Sequence, residues 1–182
     1  MSHCVLVQSK VAAENIDAAN VSAINSADAL DNGNVVALAT QDTAATYGQT
    51  EVWDATKPAT ATLAGLWMVY EPEVVLTVSG TKQYKGINVD PQDFYIPANT
   101  VFSAYKPHLG DVITMTGDGF VTGSGAASAY AVAADGSYLL TWAAGAGSGL
   151  SYKYIATTYI SIGSGAIDTQ RAVAYKLQCV VL

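Results

Sequence analysis

From residue 110 onward the chain alternates between apolar and polar positions. "DVITMT" (111–116) alternates and runs into Gly117-Asp118-Gly119, and "AYAVAADGSYLLTWAAG" (129–145) repeats the arrangement around Asp135-Gly136. "SYKYIATTYISIG" (151–163) is rich in Tyr, Ile and Thr, and "RAVAYKLQCVVL" (171–182) alternates to its last residue. Asp-Gly between such runs is a strong hairpin signal, because Gly takes a positive φ freely and Asp tolerates it. Short strands separated by Gly, Ser and Asp predict an all-β fold, an antiparallel β-barrel or sandwich.

The first half is less regular. "CVLVQ" (4–8) predicts a short strand. Over residues 9–30, Val11, Ile16, Val21 and Ile24 make no helical stripe, and Asn15, Asn20 and Asn25 recur at steps of five. Asn side chains compete with helical hydrogen bonds. The stretch is therefore expected to be an extended N-terminal arm lying on another surface. Its contact residues would be Asn15, Ile16, Asn20, Val21, Ile24 and Asn25. Residues 1–40 then form a strand and arm, and 41–182 the β domain. Asn32-Gly33 signals a turn into a strand within 30–40, and residues 41–62, Thr/Ala-rich and broken by Gly48 and Pro58, read mostly as loop. Two apolar runs between 63 and 78 are split by Glu71-Pro72-Glu73, as expected of two strands or one broken strand. Pro91, Pro97 and Pro107 each end a short extended piece. The apolar ends "CVLVQ" and "KLQCVVL" are expected to share one sheet, within the subunit or between subunits.

Composition narrows the function. The 182 residues suit one domain, or one domain plus an arm, and are 51% hydrophobic with 13% charged, against roughly 25% charged in ordinary soluble domains. A neutral, hydroxyl-rich surface suits a subunit packed against others. A net charge of −7 gives no basic footprint for phosphates, which argues against direct nucleic-acid binding. The N-terminus lacks the pattern of a signal peptide, and no apolar run approaches the roughly 20 residues that span a bilayer. A soluble protein made in the cytoplasm, without membrane contact, is expected. Cys4 and Cys179, at opposite ends, form no disulfide framework or metal motif and read as buried apolar residues.

Candidate chemistry is sparse. His108 and Asp111 in "HLGD" suggest a ligand or a base with its orienter, but the second histidine, His3, is far away in sequence and a metal needs three or four ligands. "GDGFVTGSG" lacks the Lys of a phosphate loop, and "ADALDNGN" lacks calcium-loop spacing. No GxSxG elbow occurs. Glu71 and Glu73 read as solvated edge charges. Trp53, Trp67 and Trp142 suit either a sugar platform or, more commonly, a β core or interface. Neither catalysis, nor a cofactor, nor a metal is expected.

Two stretches, "VAAENIDAANVSAINSADALDNGNVVAL" and "DPQDFYIPANTVFSAYKPHLGDVITMTGDGF", carry a resemblance. Their Ala/Asn-rich lead into an "NG-V" strand and their "GD-I" strand resemble head-decoration (auxiliary or cement) proteins of tailed bacteriophages. The resemblance covers residues 5–40 and 88–122 through composition and turn placement. It implies a non-enzymatic virion protein, made in the host cytoplasm and placed on the capsid surface. Its partners would be the major capsid protein and copies of itself, as a homo-oligomer such as a trimer. Bridging capsid subunits, it would stabilise the shell against packaged DNA. The alternative is a tail or fibre module that binds host-surface carbohydrate or a receptor through Trp and Tyr faces; a hydrolase with an unrecognised site is a third reading.

Overall fold

A computed structural model of the chain describes residues 3–42, 51–60, 63–73, 75–79, 82–86, 91–121, 128–162 and 170–182. Its strands are β1 (Leu6–Lys10), β2 (Asn20–Ile24), β3 (Val35–Asp42), β4 (Val52–Thr56), β5 (Trp67–Val69), β6 (Val75–Ser79) and β7 (Lys82–Gly86). There follow β8 (Val101–Tyr105), β9 (Val112–Thr116), β10 (Tyr130–Ala133), β11 (Leu140–Ala143), β12 (Ser151–Ile162) and β13 (Gln170–Val181). The only helical pieces among the described residues are single 3-10 turns such as 12–15, 17–19 and 117–119. The fold is all-β, and no helix among the described residues is long and apolar enough to cross a membrane.

Two units share the chain. A six-stranded antiparallel sheet has the order β1-β9-β13-β12-β10-β11, and a closed five-stranded barrel runs β2-β4-β3-β5-β8. β6 and β7 pair separately. Within the barrel only β2 and β4 are parallel.

The alternation of side chains decides what each layer buries. In β3, Val36 and Leu38 join the cluster around the barrel residues Ala23, Ala55, Val69, Phe102 and Ala104. Their neighbours Val35 and Ala37 belong instead to the cluster shared with the sheet. β5 and β8 divide likewise, with Val69 and Ala104 in the barrel cluster and Met68 and Tyr105 in the other. The sheet contributes Leu6, Ile113, Met115, Leu140, Tyr152, Leu177 and Cys179 to this second cluster. One apolar layer therefore joins barrel to sheet.

The expected N-terminal arm is corrected here. Residues 20–24 are β2, paired along Asn20–Ile24 with β8 and over Ser22–Ile24 with β4. Ala23 is fully buried and Ile24 nearly so. The small side chains that suggested an arm have another cause. A narrow five-stranded barrel has room for Ala23, Ala55 and Ala104 beside Phe102, and larger residues at all these points would overfill it.

Two further expectations change. The stretch expected as loop contains β4, while its residues 43–50 lie outside the described ones. Gly117-Asp118-Gly119 is a 3-10 turn, not the loop of a hairpin: β9 lies between β1 and β13. The Gly/Ser run at 122–127 lies outside the described residues. Other signals hold. Gly33 has φ 86° before β3, and Gly136 has φ 70° between the paired strands β10 and β11. Both chain ends lie in the same sheet, with β9 between β1 and β13.

β12 and β13 form the longest pair, from Ser151↔Val181 to Ile162↔Gln170. Their neighbours stop short. β9 pairs with Ala174–Gln178, and β10 pairs with Ser151–Lys153. The distal part of the hairpin continues as a two-stranded ribbon.

Candidate functional site

The six residues expected at an interface divide between surface and interior. Two 3-10 turns connect β1 to β2, held down by buried Val11, Ala13 and Ala19. Glu14, Asn15, Ile16 and Asp17 stay exposed, with Ile16 43% exposed. Asn20 is exposed too, and its Nδ2 donates to the carbonyls of Ala13 (2.8 Å) and Ile16 (3.0 Å), tying the turns together. Val21 is half-buried against the barrel cluster.

Ile24 and Asn25 are buried. Asn25 is a structural amide. Its Oδ1 accepts from the N–H groups of Ala27 (2.9 Å) and Asp28 (3.0 Å), while its Nδ2 donates to the Tyr138 hydroxyl. That hydroxyl donates to Asp28 at 3.4 Å. Burial raises its pKa above the usual tyrosine range, opposed by the Asn25 hydrogen bond. Lys57 completes the group, 3.1 Å from the Asp28 carboxylate and 5.3 Å from the centre of the Tyr138 ring.

Beside the exposed turns lies a groove of about 320 Å³ whose lining includes Gln8, Ala13, Glu14, Asn20, Tyr70 and Pro72. Glu71 and Glu73 flank it in sequence. Glu71 is fixed by its backbone, since its N–H donates to Asn32 Oδ1 (2.8 Å) and its carbonyl accepts from Asn32 Nδ2 (2.9 Å). One carboxylate oxygen accepts from the Ser103 N–H at 2.8 Å. Tyr70 feels the other acids: its hydroxyl pKa is raised by burial, then by Glu73, then by Glu14. Among the described residues no Lys or Arg lines the groove. The sequence marked this place only through the Glu71-Pro72-Glu73 break. Nothing local shows that Tyr70 and the β1–β2 turns meet there.

The His108–Asp111 pair is architectural. Asp111, 4% exposed, receives the backbone N–H of His108 on one oxygen (2.8 Å) and that of Ala12 on the other (2.9 Å). Both oxygens thus hold main chain, and the imidazole Nδ1 of His108 has no hydrogen-bond partner among the described residues. His3 is elsewhere, 2.7 Å from Asp31 and stacked on Tyr95. Among the described residues no group of three or more His, Cys, Asp or Glu is placed to hold a metal ion.

Trp142 is 9% exposed, stacked on Phe120 at 4.4 Å and edge-on to Tyr175 at 5.2 Å. It is core, while Trp53 and Trp67 are half-buried against the barrel cluster. Cys4 and Cys179 are buried free thiols. Burial raises the pKa of both, that of Cys179 to about 12.

These features define an all-β barrel-and-sheet protein with a small groove lined by Glu14 and a long β12–β13 hairpin. Compared with protein-family models, with curated proteins and with solved structures, the chain matches none.

Proposed function

We propose that this chain is a non-enzymatic structural protein of a virion, which decorates a tailed-phage head and bridges its capsid subunits. The supporting observation is that exposed apolar residues are grouped on one element, with Ile155, Tyr159 and Val173 standing exposed on the β12–β13 hairpin. Exposed apolar residues grouped on an element mark contact sites, whereas isolated ones need no explanation. Ile16, exposed on the turns before β2 among polar neighbours, is proposed as a second contact point. The low charge fits, because uncharged surface costs little to desolvate on association.

The contact residues proposed on those turns are Asn15, Ile16 and Asn20, because Ile24 and Asn25 are buried. Cryo-electron microscopy of tailed-phage particles assembled with this chain tests the proposal. Density on the outer face of the head, across neighbouring capsid subunits, is the expected result. Density confined to the tail, or no incorporation into particles, overturns it.

A further inference from the structure

The apolar lumen of the barrel is closed at one end and open at the other. β2, β4 and β5 run in one direction, and β3 and β8 run in the other. Where β2 ends, Leu30, Phe94 and Ile96 close the lumen: all three are buried in the barrel cluster, and Leu30 bridges Ile96. At the other end the inward positions are Val21, Leu38, Trp53 and Trp67, one from each of β2, β3, β4 and β5. All four pack on the cluster, and all four stay partly exposed. Among the described residues no segment buries them. Lys106 completes the rim directly after β8. Its N–H donates to the Ala19 carbonyl (2.8 Å), and its Nζ lies 5.8 Å from the centre of the Trp67 ring.

We propose that this open end of the barrel binds a small planar aromatic anion, with its ring against Trp53 and Trp67 and its charged group on Lys106. Such a site is independent of the virion reading. A tryptophan that serves only as core is buried as Trp142 is, at 9% exposure. Trp53 and Trp67 instead stay partly exposed at a barrel mouth, a common position for ligands in β-barrels. They stand on the two strands that flank β3, about 10 Å apart at the backbone. One ring between them can touch both indoles at about 3.5–4.0 Å, in the offset or edge-on geometry that aromatic pairs prefer. Val36, Val69 and Phe102 already fill the lumen, so the ligand lies across the mouth.

Lys106 sets the charge of the ligand. It is exposed and, among the described residues, forms no ion pair. Asp17 and Glu51 precede β2 and β4 at the same end, and neither pairs with it. Asp54 is engaged elsewhere, accepting the Thr40 hydroxyl at 3.1 Å. A single lysine matches a single anionic group and is too small a footprint for a phosphate chain. A neutral sugar fits less well, because each hydroxyl that it buries needs a polar partner. Among the described residues, the polar side chains facing this end are Gln41, opposite Trp53, and Lys106.

Heteronuclear NMR of the full-length chain gives one indole N–H signal for each of its three tryptophans, and titration with naphthoate tests the site. The Trp53 and Trp67 signals should move together, with a Kd below about 1 mM, as about 0.3 kcal/mol per non-hydrogen atom implies. The Trp142 signal should stay in place. Neutral naphthamide should bind about fivefold more weakly, and Lys106→Gln should remove that difference. Lys106 is exposed, so its substitution leaves the core untouched. Trp67→Leu should weaken both ligands about tenfold. If Trp67→Leu fails to fold, the parent spectra and Lys106→Gln still decide. No movement of either signal up to about 2 mM naphthoate overturns the proposal, as does equal movement of Trp142. Equal affinity for naphthoate and naphthamide overturns the anionic ligand. Movement of the same signals by maltotriose but not by naphthoate overturns it in favour of a neutral sugar.

Discussion

A buried carboxylate next to a histidine is a common arrangement for a base and its orienter, and Asp111 differs from it in where its oxygens point. Both accept backbone N–H groups, from His108 and from Ala12, joining the turn before β9 to the turns after β1. Hydrogen bonds to a charged acceptor are stronger than neutral ones, and a buried donor left unpaired adds its own penalty. Asp111→Ala is expected to cost about 3 kcal/mol, measured as a lower urea midpoint with an unchanged slope. A midpoint equal to that of the parent would contradict the structural role. The thiols give a second residue-scale expectation. Cys4 and Cys179 have raised pKa values in the fold, from an ordinary value near 9 to about 12 for Cys179. Between those values the folded chain holds the protons more tightly than the unfolded chain, so stability falls as pH rises. Below the unfolded pKa the contribution is fully present. Denaturation free energy should therefore be flat in pH through neutrality and decline above about pH 8.5, by at most about 1.4 kcal/mol per pH unit for each thiol. Cys179→Ala should make that decline shallower, and an identical slope would show that other groups cause it.

The elements that were legible in sequence are those whose signals are local. Asp135-Gly136 between two alternating runs gave β10 and β11, and Asn32-Gly33 gave the entry to β3. β2 was not legible, because the barrel around it is made of distant pieces. Asn20–Ile24 pairs with β8, some 80 residues later in the chain, and nothing in "NVSAI" announces that partner. The Asp118-Gly119 signal failed for a related reason: β9 pairs with both chain ends, and its local turn became a 3-10 turn. The candidate site shows the same division. Asn15, Ile16 and Asn20 are exposed, whereas Ile24 and Asn25 are buried, Asn25 by its bond to Tyr138, over a hundred residues away in the chain. β13 shows what a long-range strand contributes. It lies between β9 and β12, and Leu177 and Cys179 are buried in the shared layer. Deleting residues 177–182 removes both side chains and part of the pairing to each neighbour. The shortened chain is expected in the insoluble fraction, and a soluble product with native near-ultraviolet dichroism would show that β13 ends are dispensable.

At the scale of the whole molecule, barrel and sheet are joined by connectivity as well as by packing. The chain enters the sheet with β1, crosses to the barrel with β2, and returns to the sheet with β9. β1 pairs with β9 across about a hundred residues, Leu6 opposite Met115. Val5 is bonded both ways to Thr116, with its N–H on the hydroxyl and its carbonyl receiving the Thr116 N–H. Non-local pairing of this kind makes folding slow and joins the ends in one cooperative unit. The first 24 residues are therefore part of the body, which sets the expected result of removing them. Loss of β1 exposes one edge of β9, and loss of β2 opens the barrel and exposes facing edges of β4 and β8. Open edges recruit other chains, and the buried residues Leu6 and Val11 leave gaps in one apolar cluster and Ala23 in the other. A chain lacking residues 1–24 is expected to lose its cooperative melting transition and to aggregate, whatever it binds. Had these residues been a peripheral arm, the same truncation would leave the melting temperature nearly unchanged and weaken only attachment to a partner. Melting followed by circular dichroism, with solubility measured on the same sample, separates the two. A soluble, cooperatively melting truncation would remove β1 and β2 from the cooperative unit.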